Sequence, residues 1–159
     1  MLQLQPKPAS HSRVTLVQVM LPEDANPAGN VHGGTIMKLI DNAAYVVASR
    51  HCRMNVVTAS VDRINFHSPV FVGNLLHLKA NLNWTGKTSM EIGVRVEAED
   101  LKTGNLVHTA SAYLTFVALG ENGRPQPVPP VLLETDEDRR RFEAAAERVR
   151  LRKTGVCRI

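Results

Sequence analysis

Residues 29–52 read GNVHGGTIMKLIDNAAYVVASRHC. The pair Gly33 and Gly34 opens the stretch, and apolar residues then recur with helical spacing from about Gly33 to Arg50. At ~100° per residue, Ile36, Met37, Leu39, Ile40, Ala43, Ala44, Val46, Val47 and Ala48 cover about 200° of the helical wheel. A stripe that wide belongs to a helix largely enclosed by other structure. Asp41 falls at its edge, near Met37, Ala48 and Gly34. Aspartate is a weak helix former and is costly to bury without a partner. Position alone leaves two readings of it open: an ordinary hydrogen-bonded helical acid, or a partly desolvated carboxylate able to act as a base.

The glycines also have two readings. They serve as turn residues, or they let a ligand approach bare backbone N–H groups. At a helix start those groups have no intrahelical partner and carry partial positive charge, which suits a polarised carbonyl or an oxyanion. Seven residues separate Gly34 from Asp41, or ~10.5 Å of helix rise. One straight helix therefore does not easily bring both to one reacting carbonyl. Two copies packed antiparallel about a two-fold axis do, so joint action of the two groups implies a site across a dimer interface.

Strand signals surround the helix. Ser12–Leu21 is rich in β-branched residues, and turn formers fill Pro22–Gly29. Val56–Phe66, Asn74–Asn83, Ser89–Glu99 and Leu106–Leu119 follow as strands, with WTGKT and DLKTGN as turns. Gly120–Pro130 is too proline-rich for helix or central strand and reads as an extended arm. Glu134–Lys153 reads as a second helix. Thr135 and Asp138 form a capping-box pattern there, and the charges run from acidic to basic as the helix dipole favours. The expected organisation is a loose N-terminal arm (1–11), one α+β domain (12–119), a Pro-rich arm (120–133), and a C-terminal helix and tail (134–159). One long apolar helix against one curved antiparallel sheet is the expected layer arrangement.

At 159 residues, with 43% hydrophobic and 21% charged residues, the chain has the composition of one globular domain with a substantial core. No apolar run reaches the roughly 18 residues that span a membrane, and the first residues lack the pattern of a secretory signal. Cys52 and Cys157 match no metal or redox spacing, so a cytoplasmic setting is expected. The net charge of +4 suits an anionic ligand. Scattered basic residues with few aromatics argue against nucleic acid. TGKTS is not a phosphate-binding loop, because Asn81 stands where the first glycine is required and a strand follows. The histidines show no metal-ligand spacing. No metal and no separate cofactor are expected.

Four blocks in order, GNVHGGTIMKLID, NVVTASVDRINFHSPVFVG, TGKTSMEI and GRPQPVPP, resemble the hotdog-fold acyl-CoA thioesterases. The likeness is to the cytosolic, brain-type acyl-CoA hydrolases and their single-domain bacterial relatives, and it spans about Val14–Lys153. It implies a curved antiparallel sheet wrapped around one long helix, with homodimers that share a continuous sheet and assemble as trimers of dimers. It also implies hydrolysis of fatty acyl-CoA to fatty acid and CoA, so that CoA is part of the substrate. The family's catalytic pair falls on Asn30 and Asp41, contributed from opposite sides of the pairing. Gly33 and Gly34 would polarise the thioester, Asp41 would activate water, and direct attack by Asp41 is the alternative. His32, Arg63, His67, Lys87, Thr88 and Ser89 lie in blocks that resemble substrate-lining segments. The competing functions are a hotdog hydratase or dehydratase and a non-catalytic acyl-CoA-binding protein.

Overall fold

The computed structural model describes residues 4–155. The strands are β1 (Lys7–Pro8), β2 (Val14–Val19), β3 (Asn55–Phe66), β4 (Leu75–Thr85), β5 (Ser89–Glu99), β6 (Leu106–Leu119) and β7 (Val131–Leu132). The helices are α1 (Gly33–Cys52) and α2 (Asp136–Lys153). β2 to β6 form one antiparallel sheet in the order β2-β4-β5-β6-β3, so β2 and β3 are its edges.

The inner face of the sheet is apolar because the strands alternate. Met90, Ile92, Val94 and Val96 of β5 are buried together with Leu76 and Leu78 of β4 and with Leu114 and Phe116 of β6. Onto this face packs α1, through Ile36, Ile40, Ala43, Ala44, Val47 and Ala48. Its three alanines let the helix backbone approach the sheet closely, as the wide apolar stripe requires. The helix ends at Arg53, whose left-handed φ of 56° closes a hydrogen bond from its N–H to the Ser49 carbonyl.

The outer face is polar and is crossed by α2. Thr135 caps that helix: its side chain accepts from the Asp138 N–H while the Asp138 carboxylate accepts from the Thr135 N–H. Ion pairs fasten it to the sheet. Arg148 meets the fully buried Glu91 at 2.7 Å, and Arg152 meets Asp62 at 2.8 Å. The basic end of α2 is thus partly committed to the protein itself, since Arg152 also donates to Thr115 Oγ1.

Three local readings need correction. Residues 7–11 are not a loose arm: Lys7–Pro8 pairs in parallel with Val131–Leu132, and Ala9–His11 forms a 3-10 turn. Trp84 and Thr85 belong to β4, because a bulge between Leu82 and Trp84 lets the strand continue into the tight turn at Gly86. The Pro-rich arm is extended, yet it is tied down, with Val128 buried and its N–H donating to the Lys87 carbonyl.

Removing one partner of a buried pair strands the other charge, so Arg148→Ala should cost about 3 kcal/mol of stability in urea unfolding. Replacing both as Glu91→Leu with Arg148→Met should cost less than Arg148→Ala alone. His51 supplies a second test. Its Nε2 lies 2.7 Å from the Pro129 carbonyl, Nδ1 is buried without a partner among the described residues, and burial holds the ring below its usual pKa of 6.5. The unfolded chain therefore takes up this proton first. The contribution is complete above pH 6.5 and is lost as pH falls towards the lower folded value. Melting curves from about pH 7.5 to 5.5 should fall less steeply for His51→Gln than for the unsubstituted protein.

Candidate active site

The loop before α1 is built by Asn26, whose Oδ1 accepts from the N–H of Ala28 at 2.9 Å and of Asn30 at 3.2 Å. Such an Asx turn delivers the chain to the helix start. There His32 stands at the N-cap without a capping hydrogen bond from its side chain, and no acid lies in the first turn. The positive end of the helix is therefore not neutralised locally. A Cβ on Gly34 would meet nothing within 4 Å, and one on Gly33 would lie 3.7 Å from the Phe66 ring. The space over Gly34 is open among the described residues.

Asp41 is half-buried on α1, and the Thr58 hydroxyl of β3 donates to its Oδ1 at 2.7 Å. One carboxylate oxygen is thereby fixed, while Oδ2 takes no hydrogen bond from any described residue. Thr58 stands next to a register shift in the β3–β6 pairing, between Thr58 and Ser60. Bulges of this kind re-aim neighbouring side chains.

The expected site residues fall into five places. Asn30, His32, Gly33 and Gly34 gather at the start of α1, with Asn30 bridged to Phe71. Asp41 lies ~10.5 Å of helix rise beyond Gly34. Lys87 and Thr88 lie in the β4–β5 turn and Ser89 opens β5; the Lys87 and Thr88 carbonyls accept from the N–H groups of Val128 and Ala118. On β3, Arg63 is five residues past Thr58, ~16 Å along the strand, so the two do not meet. His67 is exposed, its ring 4.7 Å from that of His108. No sequence signal marked Thr58, Phe66 or Asn26; Thr58 gains its meaning only through the fold.

β3 is a sheet edge, and apolar side chains are exposed along it and on α1 beside it. Val57, Val61, Phe66, Met37 and Tyr45 are each between 42% and 49% exposed. An edge with no strand partner among the described residues and that much apolar surface has the composition of an interaction surface.

Residues 28–105 match the thioesterase superfamily model. An uncharacterized acyl-CoA thioester hydrolase of Bacillus subtilis is 39% identical over 142 residues, 89% of this chain and 83% of that protein. An apo-hexameric acyl-CoA thioesterase has a TM-score of 0.92 at 39% identity, covering 97% of this chain and 99% of that one. The acyl-CoA hydrolase of Staphylococcus aureus, solved with butyryl-CoA, CoA and CoA disulfide, has a TM-score of 0.87 at 35% identity, covering 93% and 90%. Structures of the same enzyme with an aspartate, an asparagine or a threonine replaced by alanine also match, each at 34% identity. The fold is that of the hotdog thioesterases. The chain belongs to the thioesterase superfamily, among its acyl-CoA hydrolases.

Thr58→Val keeps the side-chain shape and removes the hydroxyl. It should lower kcat for thioester cleavage by about 10-fold while KM stays within about 2-fold, and Thr58→Ser should keep most of the rate.

Proposed function

We propose that the protein hydrolyses fatty acyl-CoA to fatty acid and CoA in the cytoplasm, as a dimer or an assembly of dimers, with each site shared between two copies. The observation that carries this reading is the Asp41 carboxylate, fixed at one oxygen by Thr58 and free at the other. That free oxygen acts as general base: it accepts a proton from a water molecule as the water oxygen adds to the thioester carbonyl carbon. Backbone N–H groups at Gly33 and Gly34 hold the resulting oxyanion. When the intermediate collapses, the C–S bond breaks and Asp41 returns the proton to the departing thiolate.

The dimer geometry follows from β3. Pairing two β3 edges antiparallel about a two-fold axis near Asp62 sets Thr58 of one copy opposite Phe66 of the other. Thr58 holds Asp41, and Phe66 lies against Gly33. The pairing therefore draws the carboxylate of one copy towards the helix start of the other, twice per dimer. The exposed apolar side chains would be covered in the same step. Three such dimers would make the hexamer that some solved relatives form.

The resemblance places the family's catalytic asparagine, which would orient the water or the carbonyl, on Asn30, and a second asparagine, Asn26, competes for that role. In the Staphylococcus aureus enzyme the substituted asparagine precedes the substituted aspartate by fifteen residues, and the threonine follows it by seventeen. Asn26, Asp41 and Thr58 have those spacings here. Asn26 already organises the loop through Oδ1, which leaves its amide N–H groups to orient water or the carbonyl. His32, Arg63, His67, Lys87, Thr88 and Ser89 are retained as proposed contacts to the CoA arm.

Release of free thiol from acyl-CoA tests the reaction. Asp41→Ala should lose at least about 100-fold in kcat. Thiol release at the unsubstituted rate would overturn the assignment of Asp41, and a change at the acyl double bond without thiol release would point to a hydratase. Asn26→Ala should cost at least about 10-fold more than Asn30→Ala; the reverse order would return the role to Asn30. Mixing Asn26→Ala and Asp41→Ala chains under exchange should restore about one working site in two per mixed dimer. No recovery after demonstrated exchange would contradict the shared site.

A further inference from the structure

The flank of α1 that carries Asp41 is narrow and has few occupants. At ~100° per residue, Gly34, Met37, Asp41 and Tyr45 fall within about 80° of the helical wheel. Met37 and Tyr45 stand one turn before and one turn after the acid, ~6 Å of rise each way, and both are exposed. Facing them is the inner side of β3. Thr58, Val61 and Phe66 pair with Phe116, Leu114 and Ala110 of β6, whose side chains are buried in the core. Paired residues on neighbouring strands share a face, so these three point to the α1 side as well. Val61 and Phe66 are nevertheless exposed, because β3 is an outermost strand that α1 covers only in part. A groove therefore runs between α1 and β3, with Asp41 and Thr58 inside it.

The two ends of the groove differ in polarity. Towards the helix start its wall is apolar, made of Met37, Val61 and Phe66, and Phe66 lies against Gly33. Towards the helix end it opens past Tyr45 to the place where α1 finishes and β3 begins. There Arg53, Asn55 and Glu121 line a cleft of about 390 Å³. The start of β5 lies at the same end, because Ser89 is level with Val117 of β6 and so with Val57 of β3. A ligand with one apolar tail and one polar arm fits such a groove in one direction only. The tail leaves water at the Met37 end, and the arm keeps its polar contacts at the other.

The proposed two-fold pairing puts Met37 at a boundary. When Asp41 of one copy is level with Gly34 of the other, the axis passes between residues 37 and 38 of each helix. Each Asp41 is then about 5 Å of helix rise from the axis, and the two Met37 side chains stand between the two sites.

We propose that Met37 sets the length of acyl chain that the site accepts, by closing the apolar end of this groove. The inference rests on the acyl-CoA reading of the site for its substrate. A thioester carbonyl beside Asp41 sends its acyl chain towards Met37 and its CoA arm past Tyr45. A short chain ends before the Met37 thioether, and a longer one has to displace it. Methionine is unbranched and flexible, so it yields to chains of several lengths. Alanine at this position opens the end of the groove, and the stiffer phenylalanine shuts it.

Two measurements test this. One is kcat/KM for thiol release from hexanoyl-CoA and dodecanoyl-CoA. The other is calorimetric affinity for the hexyl and dodecyl thioethers of CoA, which carry no thioester and need no turnover. In both, Met37→Ala should raise the long-to-short ratio at least about 5-fold, and Met37→Phe should lower it at least about 5-fold. Each ratio compares two ligands on one preparation, so a loss of folded or paired protein cancels. Tyr45→Ala, at the polar end, should leave the ratio within about 2-fold. Unchanged ratios in both Met37 variants, a shift in the same direction for both, or a shift for Tyr45→Ala in place of Met37→Ala would overturn the proposal. So would the absence of thioether binding at millimolar concentration. Failure of the hydrolase reading looks different: the unsubstituted protein releases no thiol from either thioester, while the thioethers still report on Met37.

Discussion

The rise of an α-helix keeps Gly34 and Asp41 ~10.5 Å apart, and no side-chain motion closes that gap within one chain. The core fixes both ends of the gap. Ile36, Ile40, Ala43, Ala44 and Val47 are buried against the sheet, so α1 neither bends nor slides without opening the core. In the proposed mechanism the carboxylate acts as a base and the amides hold an oxyanion, so the two must nevertheless meet at one carbonyl. Under the proposed mechanism, the constraint turns a feature of helix geometry into a statement about assembly: a second copy completes the site.

β3 connects the two requirements. Its Thr58 restrains the Asp41 carboxylate, its Phe66 lies against the glycines at the helix start, and its outer edge has no strand partner among the described residues. The polar side of the sheet serves a different purpose. There α2 is fastened by ion pairs rather than by an apolar stripe, since Asp138, Ala145 and Val149 are its only buried residues among those described. The two faces of one sheet thus separate a dry core and a helix-edge acid from the charged layer under α2.

The helix was readable because its period is strong, and the same period made Asp41 stand out from its neighbours. Strand positions in β5 and β6 were readable from alternation and from the turns that bound them. Other features depend on contacts that no local pattern encodes. Thr58 reaches Asp41 across seventeen residues and beside a bulge, and in sequence it is one more β-branched residue in a strand. The pairing of Lys7–Pro8 with Val131–Leu132 is two residues long and carries a proline, so it lacks any strand signature. Glu91 alternates with the inward Met90 and Ile92 along β5 and so points outward, and only the docking of α2 buries it. Asn26 sits in a turn-forming segment where an asparagine is expected on conformational grounds alone.

The central claim is that one thioester is held between two copies. A crystal structure of Asp41→Asn with an acyl-CoA bound tests it most directly. The account predicts a thioester carbonyl oxygen within about 3 Å of the Gly33 or Gly34 amide of one copy, with residue 41 of the other copy beside the carbonyl carbon. A thioester bound far from residue 41 of both copies, or beside residue 41 and the glycines of a single copy, would contradict it.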